Sequence, residues 1–251
     1  MTSMPTLDFA RLVAGLREQT EGFAGAVAGG DPEAVVPTCP EWRLRTLVAH
    51  VGQADRWAAE LVRKGVPAPA PDPAKVDPGA PAEWGAWLRA GAEELVEAVR
   101  KVGPDSEVWS FVGPVPAVFW LRRMCCESAI HHYDAALTTG ARYVIADDLA
   151  ADVITEGAEL MTHPRVETFK PELALMRGAG QRLAFRPRGM DGWVISRMPE
   201  GLRWERGNGP GDVVVSGTVT EIMLVLSRRA PAAEVSGDRA LLEHWLAHSA
   251  F

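Results

Sequence analysis

Apolar residues recur every three to four positions along the first two thirds of the chain, a spacing that is typical of amphipathic helices. The spacing predicts helices over 7–28, 41–64, 82–102, 116–139 and 147–161. Glycines end the first two helices, and Pro40 opens the second, with Thr38 or Cys39 as its cap. Residues 66–81 are rich in proline, so they are predicted to form a surface crossover or a mobile flap that borders any site on the second helix.

From about residue 171 the pattern changes to short runs separated by glycine, which predicts strands. The runs are LALMRG, RLAFRPR, GWVISRM, GLRWERG and DVVVSG. A helix over 218–228, a short strand AAEVSG and a final helix that Asp238 caps complete the prediction. A helical half followed by a smaller mixed half predicts an α+β protein, with one domain at 1–165 and a second at 166–251.

The predicted helix 116–139 carries a narrow polar line through apolar surroundings. Trp120, Arg123, Glu127, His131 and Asp134 step by three or four residues, so they share one face. A surface helix would place its polar residues opposite a broad apolar stripe, so this line predicts an enclosed polar site. Glu127 and His131 lie about one turn apart, and their side chains can converge on one metal ion.

A Glu and a His four residues apart are also common as an ordinary surface pair, so a third ligand has to decide between the two interpretations. His50 lies on the apolar face of the predicted second helix, where a histidine is either a hydrogen-bonded core residue or a ligand. Two histidines and a carboxylate leave an open position, which is typical of catalytic zinc, although the same donors suit non-haem iron.

Composition excludes several other classes of protein. The 251 residues are 47% hydrophobic and carry a net charge of −7 without a basic cluster, which argues against nucleic-acid binding. We expect no secretory signal and no membrane span. The three cysteines, Cys39, Cys125 and Cys126, do not form a disulfide framework, so a reduced, cytoplasmic protein is expected.

Three segments resemble the mycothiol-dependent maleylpyruvate isomerase family of actinobacteria. They are VPTCPEWRLRTLVAHVGQADRWAAELV, WLRRMCCESAIHHYDAAL and, more loosely, VVVSGTVTEIMLVLSRR with VSGDRALLEHW. The resemblance covers nearly the whole chain. It implies a DinB-like four-helix bundle in which His50, Glu127 and His131 hold zinc or another divalent metal, followed by a small sterol-carrier-like α+β domain. It also implies mycothiol as the thiol cosubstrate.

The family generally has His-Arg-Trp-Asp-Ala where this chain has HHYDA, so the ligand is retained and the substrate pocket is predicted to differ. His132 points about 100° away from His131 and is interpreted as a flanking residue. Arg123 either tethers a substrate carboxylate or orients Glu127. Asp134 is either a partner of His131 or a polar group of the bundle.

The resemblance therefore predicts an enzyme, an S-transferase or an isomerase, that joins mycothiol to a small electrophile. It is expected to act as a monomer or a weak homodimer. A metal-dependent hydrolase and a non-catalytic metal-binding regulator are the alternatives. The hydrolase would need a general base near the metal, and none is identified beyond the ligands.

Overall fold

The structure is a computed structural model that describes residues 7–249, apart from the side chain of Phe169. Contacts divide it into two compact units, residues 7–145 and 146–249. The first unit is helical and the second combines a sheet with helices, which confirms the predicted α+β class. Among the helices of residues 7–249, none combines the length and the apolar character that crossing a membrane requires.

Four long helices form the first unit. They are α1 (Phe9–Val27), α2 (Leu44–Lys64), α3 (Trp84–Val102) and α4 (Val118–Thr139). Each buries one apolar face, and large side chains such as Phe23, Leu47, Trp84 and Leu88 fill the interior. Gly65 takes a left-handed conformation with φ of 66° and ends α2, as the sequence predicts.

Helices α2 and α4 run in opposite directions, and their contacts place the polar line of α4 opposite the second helix. Near one end His50 lies 3.2 Å from Glu127, measured between Nε2 and Oε1. Near the other end the rings of Trp57 and Trp120 meet edge to face with centroids 5.2 Å apart. The antiparallel register therefore brings two residues 77 positions apart in the sequence within hydrogen-bonding distance.

Helices α1 and α4 are in close contact where Gly22 faces His132. A Cβ atom on Gly22 would lie 2.3 Å from Cε1 of the His132 ring. Gln19 holds Nδ1 of that ring at 2.9 Å, and the ring of Tyr143 packs against it with centroids 4.8 Å apart. Burial lowers the pKa of His132 to about 4, so the ring is a neutral core residue at physiological pH.

We expect Gly22→Ala to lower the free energy of unfolding. The added methyl group meets a ring that two neighbours hold, and overpacking of this kind costs about 1–3 kcal/mol. That cost opposes the roughly 1 kcal/mol by which alanine is favoured over glycine in a helix interior. Chemical denaturation measures the sum. Gly25→Ala on the same helix is the control, because no atom lies within 4 Å of its added methyl group, and it should be neutral or stabilising. Equal stabilisation by both changes would contradict the packing described.

Two short hairpins lie between the long helices of the first unit. The first pairs β1 (Val35–Val36) with β2 (Cys39–Arg43), and the second pairs β3 (Glu107–Ser110) with β4 (Gly113–Pro116). The predicted start of α2 at residue 41 is therefore wrong. Pro40 lies in β2, the helix begins at Leu44, and Arg43 occupies the cap position without a side-chain bond. Neither Thr38 nor Cys39 caps α2, because Cys39 lies in β2 and the Thr38 hydroxyl donates to Asp134.

The proline-rich segment 66–81 is mostly exposed, as predicted, and contains two 3-10 turns, Pro73–Lys75 and Pro81–Glu83. Its first residues contact α2, since the carbonyl of Ala68 accepts a hydrogen bond from Nε1 of Trp57 at 3.1 Å. Trp57 lies two turns after His50 on α2. That the segment borders the site stays a prediction.

The second unit is a five-stranded sheet with helices. Its strands are β5 (Gln181–Pro187), β6 (Trp193–Met198), β7 (Gly201–Arg206), β8 (Val213–Gly217) and β9 (Glu234–Gly237). Their order is β7-β6-β5-β8-β9, and only the β5–β8 pair is parallel. Four of the five predicted runs form strands. LALMRG does not, because Pro171–Met176 is a 3-10 helix in which Leu173 and Met176 are buried.

The helices of this unit are α5 (Asp147–Met161), α6 (Val166–Phe169), α7 (Val219–Leu226) and α8 (Arg239–His248). Asp238 caps α8, as predicted, by accepting from the backbone N–H of Leu241 at 3.1 Å. The sequence predicts a domain boundary at 165/166, whereas contacts divide the chain at 145/146. The difference arises because α5 packs in the second unit, where Trp193 Nε1 donates to Thr155 Oγ1 at 3.0 Å.

Candidate metal site

Three side chains of the helical unit converge on one point. His50 comes from α2, and Glu127 and His131 come from α4. Nε2 of each histidine lies 3.2 Å from Oε1 of Glu127. One donor atom from each residue lies within 4.8 Å of the other two, a spacing at which all three can bind a single ion. The structure thus brings together the three residues that the sequence nominates as ligands.

The group carries charges although it is partly or fully removed from solvent. Burial opposes ionisation of Glu127, but the Arg123 guanidinium and hydrogen bonds from the two histidines outweigh it and hold the pKa of Glu127 well below its usual range. Burial also opposes protonation of His131, yet Asp134 and Glu127 raise its pKa to about 9. In the metal-free protein a carboxylate therefore faces an imidazolium, and a metal ion would take the place of the proton.

Asp134 holds the imidazole of His131 from behind. Its Oδ2 accepts from Nδ1 of His131 at 2.8 Å, and its Oδ1 accepts from the Thr38 hydroxyl at 2.6 Å. The side chain of Asp134 is fully buried. The proton on Nδ1 leaves the lone pair on Nε2, so His131 presents the correct nitrogen to the ligand group.

Arg123 lies one turn before Glu127 and donates to Oε2, the oxygen that does not face the histidines. This contact corresponds to the orienting role that the sequence leaves open beside a substrate-binding role. Because Arg123 occupies one carboxylate oxygen, the other is directed at His50 and His131.

The first hairpin supplies contacts that sequence reasoning missed. The ring of Trp42 on β2 lies with its centroid 4.9 Å from that of His50 and 6.0 Å from that of His131. The Thr38 hydroxyl reaches Asp134 from the same hairpin. The motif PTCPEW shortly before α2 contains Trp42 and could have indicated an aromatic side chain beside the site. Its hairpin geometry is not apparent, however, because two prolines lie within it.

The remaining polar candidates of α4 lie away from the group. His132 faces α1 and is a flanking residue, as predicted. Cys125 and Cys126 are buried, Cys39 is half-buried, and none forms a disulfide.

The model of the family described as mycothiol maleylpyruvate isomerase N-terminal domain matches residues 13–136. This range contains all three convergent side chains. The chain belongs to this family through its N-terminal domain. A search of curated proteins gives no match.

Solved structures extend the likeness to both units of this family member. One is described as the mycothiol-dependent maleylpyruvate isomerase, with a TM-score of 0.61 and 19% identity over 94% of this chain and 96% of that one. A histidine-to-alanine mutant of mycothiol-dependent maleylpyruvate isomerase matches with a TM-score of 0.60 and 19% identity over 92% and 93%. At this identity the matches show a common fold. The UbiJ-SCP2 ubiquinone synthesis protein covers 43% of the chain at 14% identity, and its TM-score of 0.30 supports no further argument.

Proposed function

We propose that this protein is a zinc-dependent enzyme that uses mycothiol as a thiol cosubstrate and acts on a small electrophile, as an isomerase or an S-transferase. The observation that carries the proposal is the convergence of His50, Glu127 and His131 within 4.8 Å, inside the domain that matches the family. The similar solved structures are those of an isomerase that depends on mycothiol, which supports the same thiol here.

The donor set fits a divalent metal. Two imidazole nitrogens and one carboxylate oxygen are common ligands of zinc, and three protein ligands leave a position for a fourth. The pKa of Glu127 is held low, so its oxygen is available as an anion without an added cost of ionisation. Zinc is favoured over iron here because the proposed chemistry needs a Lewis acid and no change of redox state.

A divalent ion bound there would lower the pKa of the mycothiol thiol, so that the sulfur is a thiolate at neutral pH. The residues of the chain supply the rest. His131 is kept in one tautomer by Asp134, Glu127 is oriented by Arg123, and Trp42 packs beside the rings of the two histidines. We assign Arg123 and Asp134 to positioning the ligands, so that substrate contacts come from other groups.

Isomerase and S-transferase differ only in how the reaction ends. In an isomerase the thiolate adds to a conjugated double bond, the new single bond rotates, and elimination restores the thiolate and the double bond. In an S-transferase the new carbon–sulfur bond is kept and a proton completes the product. Both need the same ligand group.

The proposal predicts a proton count. When mycothiol binds to the zinc-loaded protein near neutral pH, we expect release of about one proton per site, because the bound form is the thiolate of a group with an ordinary pKa near 8.5. Calorimetry in buffers of different ionisation enthalpy measures that number. S-methylated mycothiol is the control ligand, and it should bind more weakly and release no proton.

Turnover assays complete the test. An electrophile should be consumed only when mycothiol and metal are both present. Consumption with metal but without thiol would identify a hydrolase. Equal affinity for free and S-methylated mycothiol, with no proton released by either, would show that the thiol is not activated and would overturn the proposal.

A further inference from the structure

The turn of the first hairpin contacts the metal-site helix directly. Val36 and Cys39 are paired across the turn, which leaves Pro37 and Thr38 as its two connecting residues. The Thr38 hydroxyl donates to Oδ1 of Asp134 at 2.6 Å. A hydroxyl–carboxylate bond of this length is in the range of strong, charge-assisted hydrogen bonds. The contact joins two positions 96 residues apart, so it holds the hairpin against α4.

The carboxyl group between Thr38 and His131 is fully buried, and buried polar oxygens need hydrogen-bond donors. The Thr38 hydroxyl donates to one oxygen, and Nδ1 of His131 donates to the other at 2.8 Å. If the hydroxyl is removed, Oδ1 loses this donor, and the Asp134 side chain can rotate toward another. Such a rotation disturbs the bond that fixes the orientation and the tautomer of His131.

A second contact from the hairpin reaches the same histidine. The ring centroid of Trp42, four residues after Thr38, lies 6.0 Å from that of His131 and 4.9 Å from that of His50. Thr38 therefore acts on His131 through Asp134, while Trp42 packs beside its ring. The hairpin borders the ligand group at two places.

We propose that Thr38 is a positioning residue of the metal site, acting through Asp134 to hold Nε2 of His131 in the binding geometry. This inference rests on the proposed function, because it assumes that His131 binds a metal. It assigns a role in the site to a residue of the hairpin turn. A change in this turn should therefore change the affinity of the site for metal.

The test compares Thr38→Val with Thr38→Ser by competition between the protein and a chromophoric chelator for zinc. Loss of a group that orients a metal ligand through hydrogen bonds typically lowers metal affinity about 10–100-fold. Thr38→Val should therefore bind zinc at least about tenfold more weakly. Thr38→Ser keeps the hydroxyl and should restore most of the affinity. Thr139→Val is the matched control, since its hydroxyl bonds only the carbonyl of Ala135 in the same helix, and it should bind zinc as the wild type does.

The visible spectrum of the cobalt(II)-loaded protein gives a readout independent of stability and of turnover. At saturating metal, Thr38→Val should shift the ligand-field bands, while Thr139→Val should leave them unchanged. Asp134→Asn tests the same path, because its amide would favour the tautomer with the proton on Nε2, and it should weaken zinc binding more than Thr38→Val does.

Unchanged affinity and an unchanged cobalt spectrum in Thr38→Val would overturn this inference, even if the variant melts at a lower temperature, since the turn would then be only structural. Metal binding by the wild type in that case would leave the proposed function intact. Failure of the wild type to bind any divalent metal would overturn both.

Discussion

Replacing Glu127 with alanine is expected to weaken zinc binding by more than about 100-fold, beyond the usual cost of losing a group that only supports a ligand. The reason is its central position, since Oε1 lies 3.2 Å from Nε2 of both histidines. Metal-dependent turnover should be lost with the metal. His50→Ala and His131→Ala should act in the same direction, because each removes one of three donors.

Elemental analysis of the purified variants and chelator competition measure this effect. Glu60→Ala is the matched control, because Glu60 pairs with Lys64 on the exposed side of α2 and not with the ligand group. Removing the metal from the wild type should leave the bundle folded, since apolar side chains fill its interior. Undiminished metal in all three ligand variants would exclude this site, and global unfolding on chelation would indicate a structural metal.

The long elements were predictable because their signals are local. A helix such as α4, with 22 residues, no internal glycine and a polar residue at every turn, is determined by its own sequence pattern. The β-hairpins of the second unit have glycine at their turns, so their positions are also apparent. Those signals predict the order of the elements almost throughout.

What the sequence could not predict depends on partners distant along the chain. LALMRG has a strand-like composition, yet Arg197 from β6 donates to the carbonyls of Met176 and Arg177, which belong to a 3-10 turn and the residue after it. Helix α5 follows the bundle in sequence, but its partners Trp193 and α7 come later in the chain. Local propensity gives no information on such contacts.

The candidate site was predictable in part for the same reason. Glu127, His131 and Asp134 lie on one helix, so their spacing predicts their common face. His50 needed the antiparallel register of α2 and α4, and the resemblance to a family provided it. Thr38 and Trp42 come from a hairpin that local spacing does not predict, because Pro40 in its second strand favours a helix start.

Asp55 is a buried acid outside the proposed ligand set, and its replacement should change how stability depends on pH. The residue is 1% exposed, and within residues 7–249 neither carboxyl oxygen has a hydrogen-bond partner. Burial raises its pKa to about 8, with the charge of Glu127 adding to the shift and that of Arg56 opposing it. Asp55 is therefore protonated in the folded protein at neutral pH and ionised in the unfolded chain.

Between the two pKa values the folded state binds one more proton than the unfolded state does. The free energy of unfolding accordingly falls as pH rises from about 4 to about 8, by about 1.4 kcal/mol per pH unit from this group. The loss is on the order of 4 kcal/mol between pH 5 and pH 8. Asp55→Asn has no such proton, so its advantage in stability over the wild type should grow by about 4 kcal/mol between pH 5 and pH 8.

Chemical denaturation at both pH values, with the metal removed, measures the difference between the two proteins. Subtracting the variant from the wild type cancels the opposite contributions of Glu127 and His131, which are present in both. Asp105→Asn, at an exposed position, is the matched control for replacing an aspartate with asparagine. If Asp55→Asn differs from the wild type by the same amount at both pH values, Asp55 is ionised in the folded protein. Hydrogen-bond donors would then have to lie beside its oxygens, and the description of Asp55 as a carboxyl group without partners would be wrong.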